Sequence, residues 1–410
     1  MSRLVLVVPA FPQLSETFIA SKVAGLLERG WDVHVVCRDL LPANTSLFGP
    51  AIQRMFAEGR VHAEPRLERS PVGALRAASA VAGAAVASPW RTASHWRRAL
   101  RTARPGAPTS CILDSPLVQL APSLVHFEFG TLALGRTHTL VANDMPYSLS
   151  FRGYDVNFHR LRDGAIYGDA CRDAQGVHVL GEDLKRRAIA RGCPLNARFA
   201  VIPPAIDVDF FCPGNEVRPV NGGARRLRIL SVGRLEWKKG YEHAIEAVRQ
   251  LVARGCDVEY RIVGDGGHVL AINVAVDQAG LADRVTLLGK RDREAVREEL
   301  RAADLFLHAA VSEGFCNAVL EAQAVGCPVV VTNADGLAEN VAHGETGLVV
   351  PTYSAPALAD AMEELLRDAP RRSRMGQQGR ERVAGTFRIE QQIDRWEQFY
   401  GELGLSPLAR

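Results

Sequence analysis

The chain has 410 residues, 47% hydrophobic and 23% charged, which suits a globular protein of two domains and excludes collagen-like and disordered classes. A formal net charge of +3 is too small to indicate nucleic-acid binding. The eight cysteines include no C-x-x-C pair, so they indicate neither a disulfide framework nor a thiolate metal site and read as buried thiols of a reducing compartment.

At the N-terminus the apolar run Leu4 to Val8 is too short for a signal-peptide core and predicts a strand, followed by a helix over Glu16–Glu28. Val72 to Ser88 is Ala-rich but holds Arg76 and does not predict a membrane span, so a cytoplasmic protein is expected. Further strands of the first half are predicted at Val33–Val36, Ser123–Phe127, Tyr147–Phe151, Val177–Leu180 and Ala200–Ile202. Between them lies a less regular insert at about 66–105, in which Arg66 to Arg104 supply eight arginines against one acid, Glu68, with Trp90 and Trp96. It reads either as a surface facing the anionic lipid of the inner membrane's cytoplasmic face or as a solvated helical face.

Pro203-Pro204, Pro213-Gly214 and Asn221-Gly222-Gly223 predict a linker at about 203–225. Beyond it, strands at Leu227–Val232, Val258–Val263, Val285–Leu288, Leu305–His308, Pro328–Val331 and Leu348–Val350 alternate with amphipathic segments such as Tyr241–Ala253. That order predicts a doubly wound parallel α/β domain. The last helix puts Ile393, Trp396, Phe399 and Tyr400 on one face and is expected to cross back to the first domain. The domains expected are thus 1–205, 206–385 and a terminal helix at 386–410.

Two strand–helix turns carry charges suited to an anionic ligand. In Gly233-Arg234-Leu235-Glu236-Trp237-Lys238-Lys239-Gly240, Arg234 and Lys239 could clamp a diphosphate with help from the amides of the following helix. In Ser312-Glu313-Gly314-Phe315-Cys316-Asn317, continuing to Glu321, a loop carboxylate is placed to accept bonds from sugar hydroxyls and a helix carboxylate to grip a ribose. Either turn taken alone reads as solvated surface. Asp207-Val208-Asp209 spells a metal-binding D-x-D but falls in the linker and reads as structural, so no metal or other cofactor is expected.

Together these motifs resemble the glycosyltransferases of family 4. The E-x7-E pair is Glu313 and Glu321, the G-R-L…K-K-G turn runs from Gly233 to Gly240, the strand-plus-glycine loop is Val263-Gly264-Asp265-Gly266-Gly267, and Thr346 to Pro351 match the T-G-L-V-V-P segment. The resemblance implies a GT-B fold, two facing Rossmann-like domains, with a retaining hexosyl transfer from a UDP- or GDP-sugar. It also implies a carbohydrate or polyprenyl-linked acceptor. In that resemblance Arg234 and Lys239 neutralise the departing diphosphate. Glu313 with Gly314, Phe315 and Cys316 holds the sugar, Glu321 holds ribose, Gly264 lines the donor, and Gly289, Lys290 and Arg291 are placed to contact the base.

Phe11-Pro12-Gln13-Leu14-Ser15-Glu16-Thr17-Phe18-Ile19 narrows the resemblance to a subgroup that builds bacterial exopolysaccharides, such as colanic acid. Ser15 either caps the first helix or brings its amides to donor phosphates or acceptor. His126, Glu128 and Arg152 end first-domain strands facing the expected cleft. His126 reads as a catalytic candidate or a hydrogen-bonded core residue. Arg152 stands where many relatives place histidine, and it reads as a phosphate or Glu128 partner in catalysis or as a brace to Asp155. The alternatives at this stage are a sugar-nucleotide epimerase, a natural-product glycosyltransferase, or a non-catalytic partner of a polysaccharide assembly.

Overall fold

The computed structural model describes residues 2–13, 16–65, 71–101, 107–214 and 226–408. Ser15 and the Asn221-Gly222-Gly223 turn lie outside the described residues, as do 66–70 and 102–106 of the basic insert. Two compact units divide the chain: Met1–Ile202 with Gln392–Arg410, and Pro203–Gln391.

The first unit is built on seven strands, β1 (Arg3–Phe11), β2 (Asp32–Leu40), β3 (Val61–Ala63), β4 (Leu124–Phe127), β5 (Tyr147–Phe151), β6 (Gly176–Val179) and β7 (Phe199–Val201). They lie in the order β3-β2-β1-β4-β5-β6-β7, all parallel. The second has six, β8 (Leu227–Val232), β9 (Val258–Val263), β10 (Val285–Gly289), β11 (Leu305–His308), β12 (Val329–Thr332) and β13 (Gly347–Val350), ordered β10-β9-β8-β11-β12-β13 and again parallel. In each sheet the order reverses beside the first strand. The crevice at that switch point, between β1 and β4 and between β8 and β11, opens at the carboxyl ends of the strands, where ligands of such sheets bind.

Both sheets are covered on both faces, which is why inner strands such as β1, β11 and β12 read as nearly unbroken apolar runs. In the second unit the alternation is visible residue by residue. Ile229, Leu305, Leu307 and Val330 enter one core with the helices Tyr241–Ala253 and Ala355–Arg367, whereas Leu230, Phe306, Val329 and Val331 enter another with the helix Asn317–Ala324.

Two features depart from expectation. The edge strand β3, Val61-His62-Ala63, is too short and too weakly apolar to stand out, and pairing to β2 alone makes it a strand. The insert is more regular than its sequence suggests: its described part forms the helices Pro71–Ala87 and Pro89–Arg101. Alanine dominates the first and hides its period, while the second buries Thr92 and His95 and exposes Trp90, Arg91, Arg97 and Arg98.

The terminal helix Ile389–Glu402 buries Ile393, Trp396, Phe399 and Tyr400 within the first unit. Trp396 meets the His126 ring edge-on at 5.4 Å, and Glu397 accepts the Trp31 indole N–H at 2.7 Å. Gly25 and Gly176 admit the helix, since a Cβ on either would come within 2.7 Å of Ile393 or Phe399.

Candidate functional site

In the second unit three loops leave the carboxyl ends of β8, β9 and β11 and lock together through main-chain bonds. Val311 donates to the Lys238 carbonyl at 2.8 Å, and Leu235 donates to the Asp265 carbonyl at 2.9 Å. The approach is so close that side chains are excluded. A Cβ on Gly264, whose φ is +151°, would fall 1.8 Å from the Gly233 oxygen, and one on Gly240, at φ +64°, would fall 2.1 Å from the Ala309 oxygen. Glycine at these two positions is a packing requirement of the site.

This lock brings Lys239 against Glu313 in a direct ion pair, both side chains largely buried. His308, the last residue of β11, lies behind them with Nε2 3.6 Å from the Glu313 carboxylate. Burial would raise the Glu313 pKa, but the Lys239 charge and the His308 contact outweigh it and hold the carboxyl well below its usual range. Burial likewise opposes the Lys239 ammonium, yet the Glu313 charge keeps its pKa raised. For the Cys316 thiol, burial pushes upward while His308 and Lys239 pull the pKa down and prevail.

His308, Glu313 and Cys316 place three potential metal ligands within 4.8 Å of one another. The Lys239 ammonium already pairs with Glu313 in the same cluster, so a metal ion there would have to meet a fixed positive charge. The Asp-x-Asp pair is engaged elsewhere. Asp207 accepts the Phe210 amide at 2.9 Å and pairs with Arg293 at 3.2 Å, and Asp209 pairs with Arg388 at 2.6 Å.

The helix Asn317–Ala324 starts beside this cluster. Asn340, buried, accepts the Cys316 amide at 3.2 Å and donates to the Cys316 carbonyl at 2.9 Å, which fixes the helix entry. Among the described residues no hydrogen bond uses the Gly314 or Phe315 amide. Glu321, half-buried one turn on, has no ion pair among the described residues; burial raises its pKa to about 7, with Arg293 opposing weakly. Arg234 is two-thirds exposed and pairs with Glu236 at 2.9 Å. Lys290 and Arg291 are exposed after Gly289, which bonds through its carbonyl to the Gly264 amide at 3.0 Å. Sequence reasoning missed His308 and Asn340: the first reads only as the end of a strand, and the second acquires its role by folding back onto a residue 24 positions away.

The corresponding end of the first sheet holds a different constellation. Glu128, at the end of β4, is fully buried, where a cleft-facing position was expected. It accepts Lys22 Nζ at 2.6 Å and Arg152 Nη2 at 3.0 Å. Those two charges overcome burial and depress its pKa, while burial lowers the pKa of Lys22 to about 8 despite Glu128. The Arg152 guanidinium lies 3.9 Å from the Phe18 ring. A brace to Asp155 exists, but the main chain makes it: the Arg152 amide donates to Asp155 at 2.8 Å, and the side chain goes to Glu128.

His126 is a core residue. It is wholly buried, with Ser148 Oγ 2.8 Å from Nδ1 and Ser150 Oγ 2.9 Å from Nε2. Ser150 continues to His178 Nδ1 at 2.8 Å, and His178 Nε2 reaches the Ile202 carbonyl at 2.9 Å. That carbonyl can only accept, so the chain of donors runs from His126 Nε2 through Ser150 to His178. Both ring nitrogens of His126 are thus engaged, and burial lowers its pKa.

Residues 217–382 match the family described as glycosyl transferases group 1. A protein of Escherichia coli K12 named as the colanic acid biosynthesis glycosyltransferase WcaL is 28% identical over 367 residues, 86% of this chain and 87% of its own. The amylovoran biosynthesis glycosyltransferase AmsK of Erwinia amylovora is 26% identical over 369 residues, covering 85% and 87%. Among solved structures, Anabaena Alr3699/HepE in complex with UDP superposes with a TM-score of 0.71 at 16% identity, over 98% of this chain and 100% of that one. With two doubly wound parallel sheets the chain has the GT-B fold, its second unit is similar to the group 1 glycosyltransferases, and it is similar along most of its length to transferases named for colanic acid and amylovoran biosynthesis.

Proposed function

We propose that the protein transfers a hexose from a UDP- or GDP-sugar to a carbohydrate or polyprenyl-linked hydroxyl during exopolysaccharide synthesis, with retention at the anomeric carbon and without a metal. The observation that carries this reading is the Lys239–Glu313–His308 cluster at the switch point of the second sheet, beside a helix start whose Gly314 and Phe315 amides make no hydrogen bond among the described residues. Likeness to WcaL and AmsK over 86% and 85% of the chain supports the pathway, and the UDP in the HepE complex supports the donor class.

In this reading the ion pair is a rest state. A diphosphate entering beside Lys239 competes for its ammonium and frees Glu313 to accept hydroxyls of the donor sugar. Arg234, exposed on its loop, can swing from Glu236 to the departing phosphate. The helix amides face developing negative charge at no reorganisation cost, and the half-buried Glu321 accepts ribose hydroxyls.

The test is a screen of UDP- and GDP-sugars with purified protein and chelator, following nucleotide release and the melting temperature. One donor should be hydrolysed slowly and should raise Tm, because a ligand of the folded state alone stabilises it. Failure of every donor to bind or turn over, or interconversion of a sugar nucleotide without transfer, would sink the proposal, the second outcome in favour of an epimerase.

A further inference from the structure

A cavity of about 410 Å³ opens in the first unit between the helix Pro89–Arg101, the end of the helix Ser115–Leu120 and the turn at 143–145. Pro122 and Met145, which line it, stand just before β4 and β5. The cavity therefore lies at the amino ends of the strands whose carboxyl ends hold Glu128 and Arg152, and it belongs to neither constellation described above.

His95 lines this space and is 2% exposed, with the Asn143 side chain and the Cys111 main chain against its ring. Burial lowers the imidazole's pKa, leaving it neutral at pH 7 with one donor and one acceptor. Asn143 and Asp144 add an amide and a carboxylate, the latter paired with Arg98. Arg91, exposed at the mouth, has no ion pair among the described residues, and the Trp90 indole beside it is 87% exposed. Leu117, Val118 and Met145 supply an apolar floor.

These groups select a ligand class. A purely apolar guest would leave Arg91 without a counter-charge, and a bare anion would not fill the volume or use the indole. A pyranose presents an apolar C–H face to Trp90 and hydroxyls to Asn143 and Asp144, and an acidic substituent on it meets Arg91 and Arg98. We propose that this cavity is a second carbohydrate site, taking a monosaccharide unit that carries a carboxylate or a phosphate. The inference does not depend on the donor chemistry read from the second unit.

The experiment is calorimetric titration of the full-length protein with glucuronic acid, glucose 6-phosphate, glucose and inorganic phosphate. Either or both anionic sugars should saturate the protein, the preferred one separating carboxylate from phosphate, and glucose and phosphate should each bind at least about tenfold more weakly. Arg91→Ala and Trp90→Ala should each weaken the anionic sugar by about tenfold or more with unchanged Tm, while Lys239→Ala should leave it as in wild type. The proposal is overturned by the absence of saturable binding, by phosphate binding as tightly as the sugars, or by loss in Lys239→Ala with full binding in Arg91→Ala. It is equally overturned if Arg91→Ala alters only adsorption to phosphatidylglycerol vesicles, which would make the helix a lipid-facing surface.

Discussion

At the residue scale, Glu313 and Glu321 share a motif but sit in opposite electrostatic surroundings. Glu313 is held ionised by Lys239, so Glu313→Gln leaves a buried ammonium without its partner and removes a charged acceptor. We expect a fold retained at a cost of about 1–3 kcal/mol and a turnover reduced about tenfold or more at saturating donor, read by thermal melts and steady-state kinetics. Glu321 is raised by burial to about 7. An acid whose folded pKa exceeds its unfolded value withdraws stability as pH climbs from about 4.3 through 7, so Glu321→Gln should melt higher than wild type at pH 8, by on the order of 1–3 kcal/mol, and equally at pH 4. Ribose hydroxyls favour the carboxylate, so wild-type donor affinity should fall between pH 8 and pH 5.5 while that of Glu321→Gln stays flat. Equal wild-type affinity at both pH values would remove Glu321 from the donor contacts. The E-x7-E spacing is legible in the sequence, but this difference between its two members is not, because it depends on Lys239 arriving from a loop 74 residues upstream of Glu313.

At the scale of elements, the ends of β4 and β5 are joined by charge. Glu128 is buried between Lys22 and Arg152, so Glu128→Gln strands two cations and should destabilise the first unit by about 3–5 kcal/mol, with Lys22→Met in the same chain restoring part of the loss. Arg152→Lys keeps the charge but loses the fork that reaches both the Glu128 carboxylate and its main-chain oxygen. Its melting temperature should drop while turnover per folded molecule holds. Reduced turnover at unchanged Tm would instead return Arg152 to the chemistry. Sequence reading located these strand ends well, since Tyr147–Phe151 is the strand predicted. It missed Lys22, whose neighbours give it the pattern of an ordinary helix-surface residue until Trp396 of the terminal helix lies 3.3 Å from its ammonium.

At the scale of the whole molecule, the second unit is one continuous stretch, Pro203–Gln391, whereas the first needs Gln392–Arg410 to cover its core. A fragment spanning 203–391 should therefore fold cooperatively by circular dichroism and gain about 2.7 kcal/mol from its preferred nucleotide at a hundredfold excess over Kd. A fragment ending at 202 should fail to fold, because His126, His178 and Lys22 would lose the aromatic cover of Trp396, Phe399 and Tyr400. A stable, well-dispersed 1–202 fragment would contradict this.

The sequence by itself determined the fold class and the loops that bear the chemistry. Parallel strands buried on both faces are written mostly in apolar residues, and loops that approach one another within van der Waals distance must be written with glycine, as at Gly240 and Gly264. Tertiary structure alone decided which side chains share a charge. The pairing of Lys239 with Glu313, the engagement of Asp207 and Asp209 with Arg293 and Arg388, and the confinement of His126 among serines and aromatic rings all join residues distant in the chain. Ionisation and burial are set by such neighbours in space, and local spacing along the chain carries no record of them.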